Sequence, residues 1–373
     1  MALGTLAGTW GAHVPSVKAH YGLSEGMLSL VLFAAASGTV LSLLVAGRVV
    51  GRVGARAVTA GAALAMGAAL ASALHLPGVG VLLVAMVIFG AAMSLFDVAI
   101  NTEGSALETL MGRPVMSNLH AMFSVGGMTG AALAAWLFAE SVAPMTQLLA
   151  VCAVTMLAAF AAAWGMLPSH GPVREEGAVV HFAWPKGLLL VIGILVFAGM
   201  TAEGVMYDWS VLYLRQDVGM SPAWAAAGYA VFSAAMALSR FAGDALRSRF
   251  SEQVLVRSGA AVAAISMTVV LLAAEPWIAF VGFALVGAGL APVAPILFNA
   301  ATRVPGVSRA AAIAAVTSIG YGGFMIGPPL IGGIATVASL PLALGVVVLA
   351  AVLLAYGARH VPERVVDHEA RRS

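Results

Sequence analysis

The chain of 373 residues is 61% hydrophobic and only 9% charged, with a net charge of +2 at pH 7. Soluble domains carry roughly 25% charged residues, so this composition excludes a soluble globular enzyme, and no basic run offers a nucleic-acid surface. The single cysteine, Cys152, lies in an apolar run, which excludes a disulfide framework or a cysteine metal cluster. The N-terminus reads as lacking a cleavable signal peptide, because no basic stretch precedes its first apolar run.

A membrane-crossing helix needs about 20 mostly apolar residues. In chain order such runs are predicted near 26–47, 57–76, 79–101, 116–139, 143–167, 187–208, 222–243, 254–273, 276–299, 310–337 and 340–358. They are punctuated by HLPG at 75–78, GRP at 112–114, SPA at 221–223 and VPGVSR at 304–309. A further run over 1–17 is too short to span comfortably, so the count is eleven spans and one fragment.

Basic residues set the expected orientation. With the N-terminus inside, Arg48, Arg52, Arg56, Arg113, Arg174, Lys186, Arg240, Arg247, Arg249, Arg257, Arg303 and Arg309 fall in inner loops. Arg359, Arg364, Arg371 and Arg372 follow the last span, and only Lys18 and Arg215 fall outside. Both termini are therefore expected to be cytoplasmic, in a bacterial-type inner (plasma) membrane.

The chain also repeats. An offset of 197 residues lays KAHYGLS (18–24) over RQDVGMS (215–221), pairs Arg52 with Arg249 and Gly90 with Gly287, and lays HAMFSVGGMTG (120–130) over TSIGYGGFMIG (317–327). Two parallel six-helix halves related by an axis along the membrane normal form a known transporter layout. The expected division is a half over 1–168, a cytoplasmic loop over 169–186, a second half over 187–360 and a tail over 361–373. In the second half the membrane is entered near Pro185–Lys186, whose equivalent would fall about a dozen residues before Met1. Helix 1 thus reads as truncated, through a start-site error, an engineered deletion or a first helix of half length.

On these residues the chain resembles the major facilitator superfamily. GRVVGRVGAR (47–56) is similar to that family's signature loop: Gly47, Arg52, Gly54 and Arg56 fit, while Gly51 stands where the family usually has an acid. RFAGDALRSRF (240–250) is similar to the degenerate second copy, with Arg240, Gly243, Asp244 and Arg249. DVAINTEGSALE, NLHAMFSVG, AEGVMYDW and GYGGFMIGPPLIG resemble the YbjJ/MosC-like branch. The resemblance implies an all-α polytopic protein of twelve transmembrane helices and, for the branch, sugar- or inositol-like solutes.

The polar residues inside predicted spans carry the functional expectations, since an intramembrane carboxylate needs a role or a partner. At 1.5 Å per residue Asp97 lies roughly 27 Å along its helix, near the inner edge of the bilayer. Asp97, Asn101 and Glu108 share a face, Glu103 points elsewhere, and His120 on the next helix lies at similar depth. With Arg52 and Arg56 they read as an inner gate; a static ion pair holding the loop, or direct solute contact, are the alternatives. His120 is either a proton-active group or a packing residue. On the helix from Lys186, Glu203 sits roughly 24 Å up, with Tyr207 on its face and Asp208 near the outer edge. Glu203 has no basic residue in its own helix and is the candidate proton carrier, with a hydrogen bond to solute or a structural cap as alternatives. Trp209 suits an interfacial aromatic. Trp10 either stacks on a solute ring or packs, and Asn299 ends the proline-broken stretch APVAPILFNA, where freed carbonyls suit a cavity.

No phosphate loop, HExxH or nucleophile–base set is present, so neither direct ATP use nor an intramembrane enzyme is expected. The expectation is a secondary transporter without cofactor or metal, a monomer in the lipid bilayer, coupling protons to a small polar solute. Drug-like efflux, or a receptor that transports nothing, are the alternatives.

Overall fold

The computed structural model describes residues 1–112, 115–168 and 186–362, with backbone alone for Ser117, Asp244 and Ala310. The described residues are all-helical. The first half holds α1 (Ala2–Tyr21), α2 (Glu25–Val53), α3 (Ala55–Ser72), α4 (Val79–Met111), α5 (Met116–Ala139) and α6 (Pro144–Trp164). The second holds α7 (Leu188–Gln216), α8 (Pro222–Phe241), the short α9 (Gly243–Arg249), α10 (Glu252–Ala273), α11 (Pro276–Leu290), α12 (Val293–Ala301), α13 (Arg309–Val337) and α14 (Leu340–Gly357). α9 is a connection, and α11 with α12 form one crossing interrupted at Ala291–Pro292, which leaves twelve crossings in two sets of six.

Ten of these crossings are long and apolar enough to span a bilayer on composition alone. The other two, α1 and α8, are rich in Gly, Ala, Ser and Thr, and both pack in the seam between the halves. Helices shielded from lipid need less apolar surface and gain from small residues that let backbones approach. The run predicted over 1–17 differs from the outcome: α1 has 20 residues, about 30 Å at 1.5 Å per residue, enough to cross the hydrocarbon core. Its counterpart α7 has 29. α2 and α4 run past their predicted ends, to Val53 and Met111, because a helix need not stop where its apolar stretch does.

The internal repeat is local structure as well as sequence. Gly22 and Gly219, paired by the 197-residue offset, both take positive φ, +61° and +75°, a region that suits glycine after a helix. Two residues on, Ser24 and Ser221 both cap a helix, each side chain accepting from the backbone N–H three residues later. Gly126 meets α1 at Gly4 and Thr5, as Gly323 meets α7 at Phe197 and Thr201.

The two halves meet unequally along their seam. At one end Gly26 of α2 lies against Thr336 of α13, and Ser29 against Gly332. Beside them Lys18 pairs with Glu25 at 3.2 Å, and the Tyr21 hydroxyl donates to Ala73 O at 2.8 Å, tying the end of α1 to the end of α3. Toward the other end, the side of the α2–α3 junction at Gly54, the halves part around a cavity. The linker expected at 169–186 lies, apart from Lys186, outside the described residues. Of the expected tail, Val361 and Pro362 are docked: their carbonyls accept from Gln253 and Arg303, both at 2.8 Å.

Candidate functional site

The cavity has a volume of about 670 Å³, within the range of small-molecule sites. Its closed end is walled by Trp10 of α1, Phe89 of α4, Tyr207 and Asp208 of α7 and Tyr229 of α8. Its open end carries Asp97 and Asn101 of α4, His120 of α5, Arg247 of α9 and Phe298 of α12. Glu203, Arg240, Ser124 and Tyr321 line the middle.

Glu203 is not the isolated carboxylate its own helix suggested. Arg240 Nη2 lies 3.0 Å from its Oε1, and the Tyr207 hydroxyl donates to the same oxygen at 3.0 Å. Arg240 also reaches across the seam, Nη1 donating to Ser124 Oγ at 2.6 Å. Their side chains are 12% and 14% exposed, so the pair is largely removed from solvent yet borders the cavity. The resemblance grouped Arg240 with the loop arginines; the structure places it instead on the last turn of α8, inside the membrane crossing. The signal was available: Arg240 falls inside the apolar run 222–243, and a charge there demands a counter-ion.

Tyr207 is held between Glu203, Met236 Sδ at 3.3 Å and the rings of Tyr229 and Phe232, at 5.7 and 5.5 Å. Gly11 of α1 makes this packing possible, since a Cβ there would sit 2.6 Å from the Tyr229 ring and 2.9 Å from Tyr207 O. Asp208 lines the closed end beside Tyr229 and has no hydrogen-bond or ion-pair partner among the described residues. Trp10 is buried against Phe89, ring centroids 5.9 Å apart, and borders the cavity. Trp209 is fully buried in the helix core, so the expectation of an interfacial aromatic is wrong; it faces neighbouring helices rather than the bilayer rim.

The acidic stretch of α4 divides. Asp97 faces the cavity with Asn101 and His120 beside it and Tyr321 of the other half opposite. Glu103 is buried, its Oε1 accepting from Leu167 N at 2.8 Å. Glu108 Oε1 accepts from Val115 N and Met116 N, at 2.7 and 3.0 Å, and so caps the start of α5. Asp97, Asn101 and Glu108 therefore do not act as one cluster, because Glu108 lies about two turns beyond Asn101 and is spent on backbone.

The loop arginines also differ from the expected gate. Arg52 is exposed, and among the described residues no ion pair joins it to Asp97. Arg56 donates through Nη2 to Met166 O, fastening the start of α3 to the residues just after α6. Gly47 is open to the surroundings, and Gly54, at φ +91°, joins α2 to α3. Arg249 is exposed, and the Asp244 side chain lies outside what the structure describes. Asn299 is exposed and off the cavity; the break at Ala291–Pro292 turns Ala294, Pro295 and Phe298 inward instead. One group went unremarked in the sequence: Glu252, 6% exposed, pairs with Arg247 at 3.6 Å and with Arg303, joining α9, α10 and the loop after α12.

The Major Facilitator Superfamily model matches residues 1–321. An uncharacterized MFS-type transporter of Yersinia pestis is 36% identical over 354 residues, 94% of this chain and 91% of that one. The membrane protein MosC of Rhizobium meliloti is 29% identical over 358 residues, 94% of this chain and 86% of its own. Among solved structures, a D-xylose–proton symporter superposes with a TM-score of 0.75 at 15% identity, over 97% of this chain and 96% of that one, a likeness of fold. Helix order, repeat, one-sided cavity and sequence family agree: this chain belongs to the major facilitator superfamily, as an integral membrane transporter of small-molecule solutes and not an enzyme.

Proposed function

We propose that the chain is a proton-coupled secondary transporter that moves a small polar solute, sugar- or polyol-like, across the inner membrane by alternating access, with both termini cytoplasmic. The observation that carries the reading is Glu203, held by Arg240 and Tyr207 at the cavity wall while Arg240 also bonds Ser124 of the other half. A proton taken up by Glu203 cancels the charge that fixes Arg240. The guanidinium then needs another acceptor, supplied by solute or by the opposite half, and proton binding becomes linked to the seam. Asp97, His120 and Tyr321 lie where the open end must close when the halves rock. The fold shared with a D-xylose–proton symporter supports both the coupling and the solute class.

The test is uptake or exchange in proteoliposomes under an imposed pH gradient. Glu203→Gln should abolish acceleration by the gradient while leaving the protein folded; gradient-driven transport by that variant would overturn the coupling role. A second reading, efflux of an apolar drug or metabolite, draws on the largely apolar walls, with Met93, Met116 and Met200 among them. Accumulation of lipophilic compounds in cells lacking the gene, and not of sugars, would favour it.

A further inference from the structure

Five Asp, Glu and Arg side chains line the cavity: Asp97, Glu203, Asp208, Arg240 and Arg247. Arg240 is matched by Glu203 and Arg247 by Glu252. Asp97, at the open end, has Asn101 and His120 as polar company. Asp208, at the closed end, has no hydrogen-bond or ion-pair partner among the described residues. The same end of the cavity is lined by aromatic side chains: Tyr229, whose hydroxyl lies close enough to Asp208 to feel its charge, Tyr207 packed on Tyr229 at 5.7 Å, and Trp10 against Phe89 at 5.9 Å.

We propose that this closed end is a subsite for the cationic end of an organic solute, a protonated amine or quaternary ammonium group, with Asp208 as its counter-ion and Trp10 and Tyr229 as its walls. The inference rests on the transporter reading and names a chemical class for its solute. A single carboxylate in a cavity end lined by aromatic side chains suits an organic cation, which gains from a counter-charge and from ring quadrupoles together. A hard metal ion needs six or more oxygen ligands, and no group of three or more His, Cys, Asp or Glu side chains fit to hold a metal exists among the described residues. An anion would meet the excess of unpaired carboxylates. A neutral hydroxylated solute would donate a hydrogen bond to Asp208 but bring no counter-charge to it.

The test uses the full chain in nanodiscs and isothermal titration with two matched pairs: choline against 3,3-dimethyl-1-butanol, and cyclohexylamine against cyclohexanol. Each cation should bind about tenfold or more tightly than its neutral isostere, the scale of a desolvated cation–ring contact. Asp208→Asn should erase that preference, Asp208→Glu should keep it, and Trp10→Leu should reduce it. Equal affinities within both pairs for the native chain, or a preference that survives Asp208→Asn, would overturn the subsite. If Asp208→Asn fails to fold, loss of the preference in Asp208→Glu and its full retention in Trp10→Leu would overturn it equally. The outcomes separate the two levels: transport of a neutral solute without cation preference sinks the subsite and leaves the transporter, whereas cation binding without flux in proteoliposomes does the reverse.

Discussion

Removing Arg240 should be far more damaging than removing the charge of Glu203. At 3.0 Å and an effective dielectric of 20, the pair attracts by about 5–6 kcal/mol before desolvation is set against it. Breaking a buried pair from one side typically costs about 3–5 kcal/mol, because the remaining charge stays behind without a partner. Arg240→Ala strands the Glu203 carboxylate, with only the Tyr207 hydroxyl left to it, and should lose about 3 kcal/mol. Glu203→Gln keeps an amide oxygen for Arg240 and Tyr207 and should lose about 1–2 kcal/mol. The double variant should be more stable than Arg240→Ala alone, since the stranded charge is gone. Thermal or denaturant unfolding of the four proteins in one detergent closes the cycle. Additive losses would refute the reasoning, for then Glu203 and Arg240 do not share one interaction.

Three further outcomes follow from other parts of the molecule. With Cys152 changed to Ser, Gly26→Cys with Thr336→Cys should form a disulfide, because a Cβ at Gly26 lies 3.2 Å from Thr336 Oγ1; oxidation should stop transport and reduction restore it, and a bridged protein that still cycles would contradict closure at this end. Glu252→Gln should loosen the docked residues 361–362, read as faster amide exchange over 358–361, since Arg303 ties Glu252 and Pro362 O together. Asp217, outside the membrane crossings, has its carboxyl raised above the usual value by burial and by the Glu25 carboxylate. A raised acid binds its proton more tightly folded than unfolded, so its contribution to folding is full below the unfolded value and is lost as pH rises through the raised folded one. Asp217→Asn should therefore raise the melting temperature at pH 7 and not at pH 3; the opposite order would refute the assignment.

Much of this architecture can be read without coordinates. Apolar runs, basic asymmetry and the 197-residue offset suffice for the crossings, because lipid demands continuous apolar helices and offers few alternatives. The offset even locates Gly22 with Gly219 and Ser24 with Ser221, where the same turn chemistry recurs. The site is less legible. Glu203 can be singled out as a costly intramembrane charge, but Arg240 lies 37 residues away on α8, and only packing brings the two together. Ser124 is a hydroxyl among many, and nothing local marks it as the cross-seam partner. Glu108 shares a helical face with Asn101, yet its oxygen is taken by the backbone of Val115 and Met116, a turn geometry no spacing rule foresees. Asn299 misleads because the break at Ala291–Pro292 resets the register of everything after it.

The closed end of the seam has a thermodynamic consequence. Gly26, Ser29, Gly332 and Thr336 offer backbone and hydroxyls rather than large apolar side chains. At roughly 25 cal/mol per Å² of apolar area, separating such surfaces sacrifices little. Tyr21 meanwhile fastens α1 to the end of α3, so the wall behind the seam does not yield with it. In the proposed alternating-access cycle, a seam made this way would behave as a balanced latch, its two access states differing by little on their own. A modest difference in solute or proton affinity between them is then enough to decide which way the molecule faces.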